Sequence, residues 1–170
     1  MINIKKGTGL SLQQSDRVGT ALSGQGVVAG MVVRLDTSGN VVVGPTNAAA
    51  ADDLLGFALN NQTDSDVIAS GKIGYIHLDG SSVIETDQVT GTINSTNFVL
   101  GARVSADPSS LGNVRAWQSG DRVLGYVDGI RTLPGISSVS QNYQNIAGST
   151  LTNTSNQQVF VTVLAIKLAI

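Results

Sequence analysis

From Gly30 to Gly44 the chain passes from an apolar run, Met31-Val32-Val33-Arg34-Leu35, through Asp36-Thr37-Ser38-Gly39-Asn40 to a second run, Val41-Val42-Val43. β-Branched residues on both sides of a Gly-Asn pair predict a β-hairpin, because Gly39 and Asn40 accept the backbone angles of a tight reversal. The pattern returns 71 residues later. Gly101-Ala102-Arg103-Val104-Ser105-Ala106-Asp107 echoes the stretch from Gly30 to Asp36, and Gly112-Asn113-Val114 echoes Gly39-Asn40-Val41. Each hairpin is followed by a third apolar run, Leu54-Leu55-Gly56-Phe57-Ala58 and Val123-Leu124-Gly125-Tyr126-Val127. A glycine before an aromatic at the same place in both runs predicts a bulge or a close backbone approach. Three landmarks in the same order predict an internal duplication.

The remaining stretches are read around these units. Residues 1–25 carry Lys5, Lys6, Gln13, Gln14, Asp16, Arg17 and four glycines with little periodicity, and read as an extended N-terminal arm. The run Ala48–Ala51 has helical propensity, but the matching part of the second copy is the turn Trp117–Gly120, so a loop or at most one helical turn is expected. Ile73 to Leu78 alternates and then meets Asp79-Gly80, which predicts a strand entering a hairpin with Ser81–Thr86. Residues 136–158 form a polar tract rich in Ser, Thr, Asn and Gln, and Val159–Ile170 closes the chain as one apolar run. A strand apolar on both faces must be covered on both, so this run is expected at an interface between copies, through Phe160, Leu164, Ile166, Leu168 and Ile170. The alternative is an internal strand of the subunit's own sandwich. The resulting organisation is an arm (1–25), a duplicated body (26–135, with units 26–70 and 101–135 joined by a connecting hairpin 71–100) and a C-terminal part (136–170).

Composition supports an all-β fold, a small β-sandwich or barrel-like body with duplicated hairpin units, an extended N-terminal arm and a C-terminal β-strand. Apolar residues make up 41% of the 170 but aromatics only 4%, so the core is built from Val, Ile, Leu and Ala. Glu85 is the sole glutamate and charged residues are 13%, about half the usual share, so the residues that normally fill exposed helix faces are scarce. A net charge of −2 provides no basic footprint for nucleic acid. With no cysteine there is no disulfide framework and no thiolate site. Residues 1–6 lack the apolar core of a signal peptide and the longest apolar run is too short to span a bilayer, so synthesis in the cytoplasm and no membrane partner are expected.

Candidate chemistry is sparse. His77 is the only histidine, and Asp79 two residues on shares its face of a strand, yet no serine sits in a Gly-x-Ser-x-Gly turn to complete a triad. The carboxylate pairs Asp52-Asp53 and Asp64-x-Asp66 lack the further oxygen ligands that a hard cation needs, and read as solvated turns. The stretch Gly19–Gly26 is glycine-rich but has no Lys-Ser/Thr to meet a phosphate. Trp117, Tyr126 and Tyr143 are the aromatics available for a carbohydrate platform. Neither catalysis nor a cofactor nor a bound metal is expected.

The stretch Gly30–Val41 followed by Leu54–Ala58, repeated from Gly101 and again at Val123–Val127, resembles the repeat of tailed-bacteriophage capsid decoration (cement) proteins, over roughly residues 26–129. The resemblance implies a β-rich structural protein, commonly a homotrimer, on the exterior of an icosahedral head, where it clamps adjacent major capsid protein subunits. The arm then becomes the expected capsid-binding segment, with Ile2, Ile4, Lys5, Lys6 and Arg17. The long polar tract and the apolar C-terminal strand depart from the shorter members of that family. Two other readings stand beside it: a phage tail, baseplate or fibre component, and a carbohydrate-binding module.

Overall fold

Short β-branched runs punctuated by Gly, Asn and Asp produce a chain that is mostly strand. The structure, a computed structural model, describes residues 2–6, 13–17, 26–45, 54–78, 80–144 and 150–169; along 2–6, 13–17, 134–144 and 150–159 it describes the course and pairing of the backbone. The elements are β1 (Ile2–Lys6), β2 (Gln13–Arg17), β3 (Val32–Leu35), β4 (Val41–Val43), β5 (Leu54–Ala58), α1 (Ser65–Ser70), β6 (Lys72–His77), β7 (Val83–Thr86), β8 (Arg103–Ala106), β9 (Val114–Ala116), β10 (Gly125–Gln144) and β11 (Thr150–Leu168). They build an all-β body of two antiparallel sheets, one with the order β1-β7-β11-β10-β8-β9 and the other β2-β6-β5-β3-β4.

The two orders are one pattern used twice. From the hairpin outward the sheets run β4-β3-β5-β6-β2 and β9-β8-β10-β11-β7, and β1 is the one strand without a counterpart. The registers coincide as well. Val33 faces Gly56 and Val104 faces Gly125; on the other side Gly56 faces His77 and Gly125 faces Leu168. The last pair of strands matches too, with Gln13 opposite Ile76 and Val83 opposite Lys167. Each copy therefore holds five strands, wider than the three-strand units that the hairpins alone predict.

Local chemistry explains the repeated register. In the first hairpin the Asp36 carboxylate accepts the amides of Ser38 and Asn40, both at 2.8 Å, and Gly39 takes a φ of +77°. In the second, Asp107 accepts the amide of Ser109 at 2.9 Å and Gly112 takes a φ of +84°. These Asx turns fix where each strand reverses. The glycine of each third strand sits against the next strand: a Cβ on Gly56 would lie 1.8 Å from the Ile76 carbonyl oxygen, and one on Gly125 would lie 2.4 Å from that of Lys167. Ile76 and Lys167 hold equivalent positions, so the predicted close approach is the same contact made twice. A bulge accompanies it between β3 and β5.

The sheets pack face to face over one core. Val32, Phe57 and Ile76 from the first copy meet Ile84, Val104, Val114, Leu124, Leu164, Ile166 and Leu168 from the second. Polar links cross the same seam: the Thr86 hydroxyl donates to the Gly30 carbonyl at 2.9 Å, and the Val32 amide donates to the Gly112 carbonyl at 2.8 Å. The first sheet is apolar on its other face also, where Val33, Val41, Val43, Ala58, Ile73 and Tyr75 form a second cluster closed by Val67 of α1. Six residues are too few to reveal a helical period in the sequence. α1 stops at Gly71, in the left-handed region at φ +63°, whose amide returns to the Val67 carbonyl.

Two expectations change. Ile73–Leu78 and Ser81–Thr86 form strands but do not pair with each other: β6 completes the first copy and β7 begins the second, so the chain between them passes from one sheet to the other. The polar tract is strand. β10 runs through residue 135, the expected boundary, to Gln144, and β11 starts at Thr150, because the ladder is built from backbone groups that polar residues also carry and Ser and Thr pair across strands. Ala48–Ala51 lies outside the described residues.

Candidate functional site

A catalytic or ligand site needs polar groups with spare valence, and the described polar clusters have little. The densest lies on the second hairpin. Asp121 accepts the Ser105 hydroxyl at 2.7 Å, the Arg115 guanidinium at 3.0 and 3.1 Å, and the Gln118 amide at 3.1 Å, while its own carbonyl accepts the Trp117 indole N–H at 2.8 Å. Arg103 stacks over the Trp117 ring at 5.2 Å. Asp107 lies 3.7 Å from Arg115 and accepts the Thr90 hydroxyl at 2.6 Å. Burial works to raise the pKa of both carboxylates, but the hydrogen bonds from Ser105 and Arg115 to Asp121, and from Thr90 and Ser109 to Asp107, outweigh it and hold both below the usual range. Carboxylates so saturated with donors are poor proton acceptors; the cluster ties the Trp117–Asp121 turn to β8 and β9.

A second cluster holds Glu85. Its carboxylate is fully buried on the side of β7 away from the shared core and accepts Arg131 Nη1 at 2.9 Å; Arg131 Nη2 reaches Asp128 at 2.9 Å. This network joins β7 to β10 across β11, a structural role. An open cleft of about 460 Å³ lies where the second hairpin meets the first copy, lined by Met31, Val43, Gln88, Ser109, Leu111 and Asn113 among others. No titratable side chain lines it. Among the described residues no group of three or more His, Asp or Glu is placed to hold a metal.

The residues singled out in the sequence are dispersed. His77 is half-buried with its ring edge-on to Tyr75 at 5.1 Å, and Asp79 lies outside the described residues, as do Asp52, Asp53 and the stretch Gly19–Gln25. Asp64 accepts the backbone amide of Asn61 at 2.8 Å and its side-chain amide at 3.1 Å, while Asp66 is exposed in the first turn of α1. The three aromatics do not converge: Trp117 anchors its turn, Tyr126 is exposed on β10, and Tyr143 sits 17 residues further along the same strand, roughly 50 Å away.

Of the expected interface residues, Leu164, Ile166 and Leu168 are buried in the subunit's own core. They are the second copy's fourth strand, so the sheet itself covers them. Phe160 is 72% exposed, and Ile170 lies outside the described residues. The expected capsid-binding residues Ile2, Ile4, Lys5 and Lys6 are on β1 and Arg17 is on β2. β1 and β2 are each an outermost strand of a sheet.

The feature least visible in the sequence is the extension of β10 and β11. Beyond Arg131–Val163 they pair only with each other, from Thr132 opposite Thr162 to Gln144 opposite Thr150. The resulting ribbon is roughly 40 Å long. All ten Lys and Arg and all twelve Asp and Glu lie outside it. No family model, curated protein or solved structure matches the chain.

Proposed function

We propose that this protein is a structural virion component, a capsid decoration or cement protein that binds the outside of an icosahedral phage head and reinforces contacts between major capsid protein subunits. The observation that carries the reading is the position of the expected contact residues: Ile2, Ile4, Lys5, Lys6 and Arg17 all fall on the two edge strands β1 and β2. An edge strand offers unpaired backbone N–H and C=O groups that can extend a partner's sheet, each hydrogen bond contributing about 1 kcal/mol net. Such a contact is weak alone and gains strength when copies act together in a homotrimer. The reading assigns no catalysis, cofactor, nucleic acid or membrane to the chain.

The test is to add purified protein to undecorated heads and measure co-sedimentation and the temperature at which the heads release their genome. Binding with a raised release temperature is the expected result, with weak dependence on salt because main-chain hydrogen bonds, rather than the three cations Lys5, Lys6 and Arg17, carry the contact. Absence of binding would defeat the reading. The long two-stranded ribbon favours a second one, a tail, baseplate or fibre component, and antibody-labelled virions separate the two by where the label falls.

A further inference from the structure

We propose that the ribbon formed by 132–144 and 150–162 is the self-association element of this protein, packing along its length against the ribbons of further copies of the same chain. The inference deepens the oligomeric part of the reading above and rests on it only there; it holds for a head or a tail protein alike.

Four observations lead to it. First, a two-stranded ribbon is marginal in water by itself, since it lacks a third strand and a covered face. Here the pairing continues well past the last strand that flanks it, β7 at Leu164. Second, natural proteins protect free strand edges with charge, above all lysine. This ribbon has none, although ten Lys and Arg are available elsewhere in the chain. A surface without the usual protection is one that is covered when the protein works.

Third, apolar positions fall on both sides of the ladder: strand alternation puts Pro134, Ile136 and Phe160 on one and Val139, Tyr143 and Leu151 on the other. Phe160, whose side chain is described, is left open by its own subunit. Covering both sides takes more than one neighbour, which a ring of at least three copies supplies and a two-fold pair does not.

Fourth, the polarity favours copies of this chain over a different protein. Recognition of a foreign surface usually draws on charge complementarity for register and for rejection of wrong partners, and an uncharged ribbon offers neither. Meeting itself, it brings no like charges together. Its Ser, Thr, Asn and Gln residues are donors and acceptors at once, so identical side chains brought together by symmetry can satisfy each other.

The experiment uses the full chain in solution, without heads. Sedimentation velocity is measured for the protein and for two variants, Ser140→Asp with Asn142→Asp and Ser140→Lys with Asn142→Lys, while Trp117 fluorescence reports whether the body is folded. The natural protein is expected to associate. Each variant alone should associate at least about tenfold more weakly at low salt, because like charges meet, and regain part of the loss at high salt. An equimolar mixture of the two should associate again, which only ribbon-to-ribbon contact explains. A natural protein that stays monomeric at all concentrations, or variants that associate as it does, would overturn the proposal. So would variants that keep their oligomeric state and lose only binding to heads, since the ribbon would then face the capsid. Failure of the natural protein to bind heads would sink the virion reading and leave this result standing.

Discussion

After Ala58 the first copy of the repeat returns to its sheet through Leu59–Gly71, a short path containing α1. After the matching Val127 the second copy runs out along β10 to Gln144 and back along β11 before it rejoins the sheet at the same place. The insertion points are equivalent; the insertions are not. α1 turns inward and places Val67 over the second apolar cluster of its own sheet. The face of the second sheet that matches this cluster, with Val104, Val127, Leu164 and Ile166, is covered instead by the first sheet, and the inserted chain continues as a ladder that pairs only with itself. One copy uses this connection to cover its own sheet, whereas the other extends it into a long two-stranded ribbon. Beyond Arg131 and Val163 the ribbon pairs with no other strand of the sandwich, as the proposed self-association requires.

The largest effect should come from the contact that the copies share. Gly56→Val and Gly125→Val both push a side chain into a neighbouring carbonyl, and each should destabilise by about 4 kcal/mol or more in denaturant unfolding. Gly56 is the more severe, since its φ of +150° adds backbone strain. A well-tolerated Gly125→Val would break the equivalence of the two strands.

Next in size is a contact the first copy lacks. Arg131→Ala leaves the Glu85 carboxylate buried without its guanidinium and should cost about 2 kcal/mol, below the full price of a buried pair because Arg131 is itself partly exposed. A change under about 0.5 kcal/mol would show that the rest of the Glu85 environment suffices.

Acid probes the two Asx turns. Asp36, Asp107 and Asp121 are all held below their ordinary pKa in the folded chain, Asp36 by the Asn40 amide and side chain and then Ser38. A depressed folded pKa means that protonation favours the unfolded chain. The stability these groups contribute is complete above about pH 4 and is lost as pH falls through the folded values. Asp121→Asn should flatten the fall in stability below pH 4 more than Asp36→Asn does, because the Asp121 side chain is nearly buried and holds a guanidinium, whereas Asp36 is only half-buried and holds amides. Equal slopes for the two variants would contradict that ranking. The smallest effect is expected at Phe160→Ser, within about 0.5 kcal/mol on the stability of the separated subunit, with weaker association as its only marked consequence.

What the sequence discloses follows the range of the forces involved. The hairpins, their Asx turns and the third-strand glycines are local, set by Asp36, Gly39, Asp107, Gly112, Gly56 and Gly125, and were legible as a repeat. Strand partners set by sheet topology were not. β6 and β7 sit on either side of an Asp-Gly pair like the arms of a hairpin, yet the duplication assigns them to different sheets. Leu164, Ile166 and Leu168 look like an uncovered interface until the second copy is seen to need a fourth strand. The ribbon escaped because its few apolar residues, such as Ile136, Val139 and Tyr143, are widely spaced and its Ser, Thr, Asn and Gln residues resemble linker. The arm yielded its edge strands only once the sheet orders were in view.

Amide hydrogen exchange followed as a function of protein concentration tests the contrast between body and ribbon most directly. Body amides such as those of Phe57, Val104 and Ile166 should stay protected at every concentration. Amides along 136–144 and 150–158 should be protected in the assembled protein and exchange at least about tenfold faster once dilution separates the copies. Ribbon amides that exchange at the same rate at all concentrations, whether fast or slow, would contradict the account.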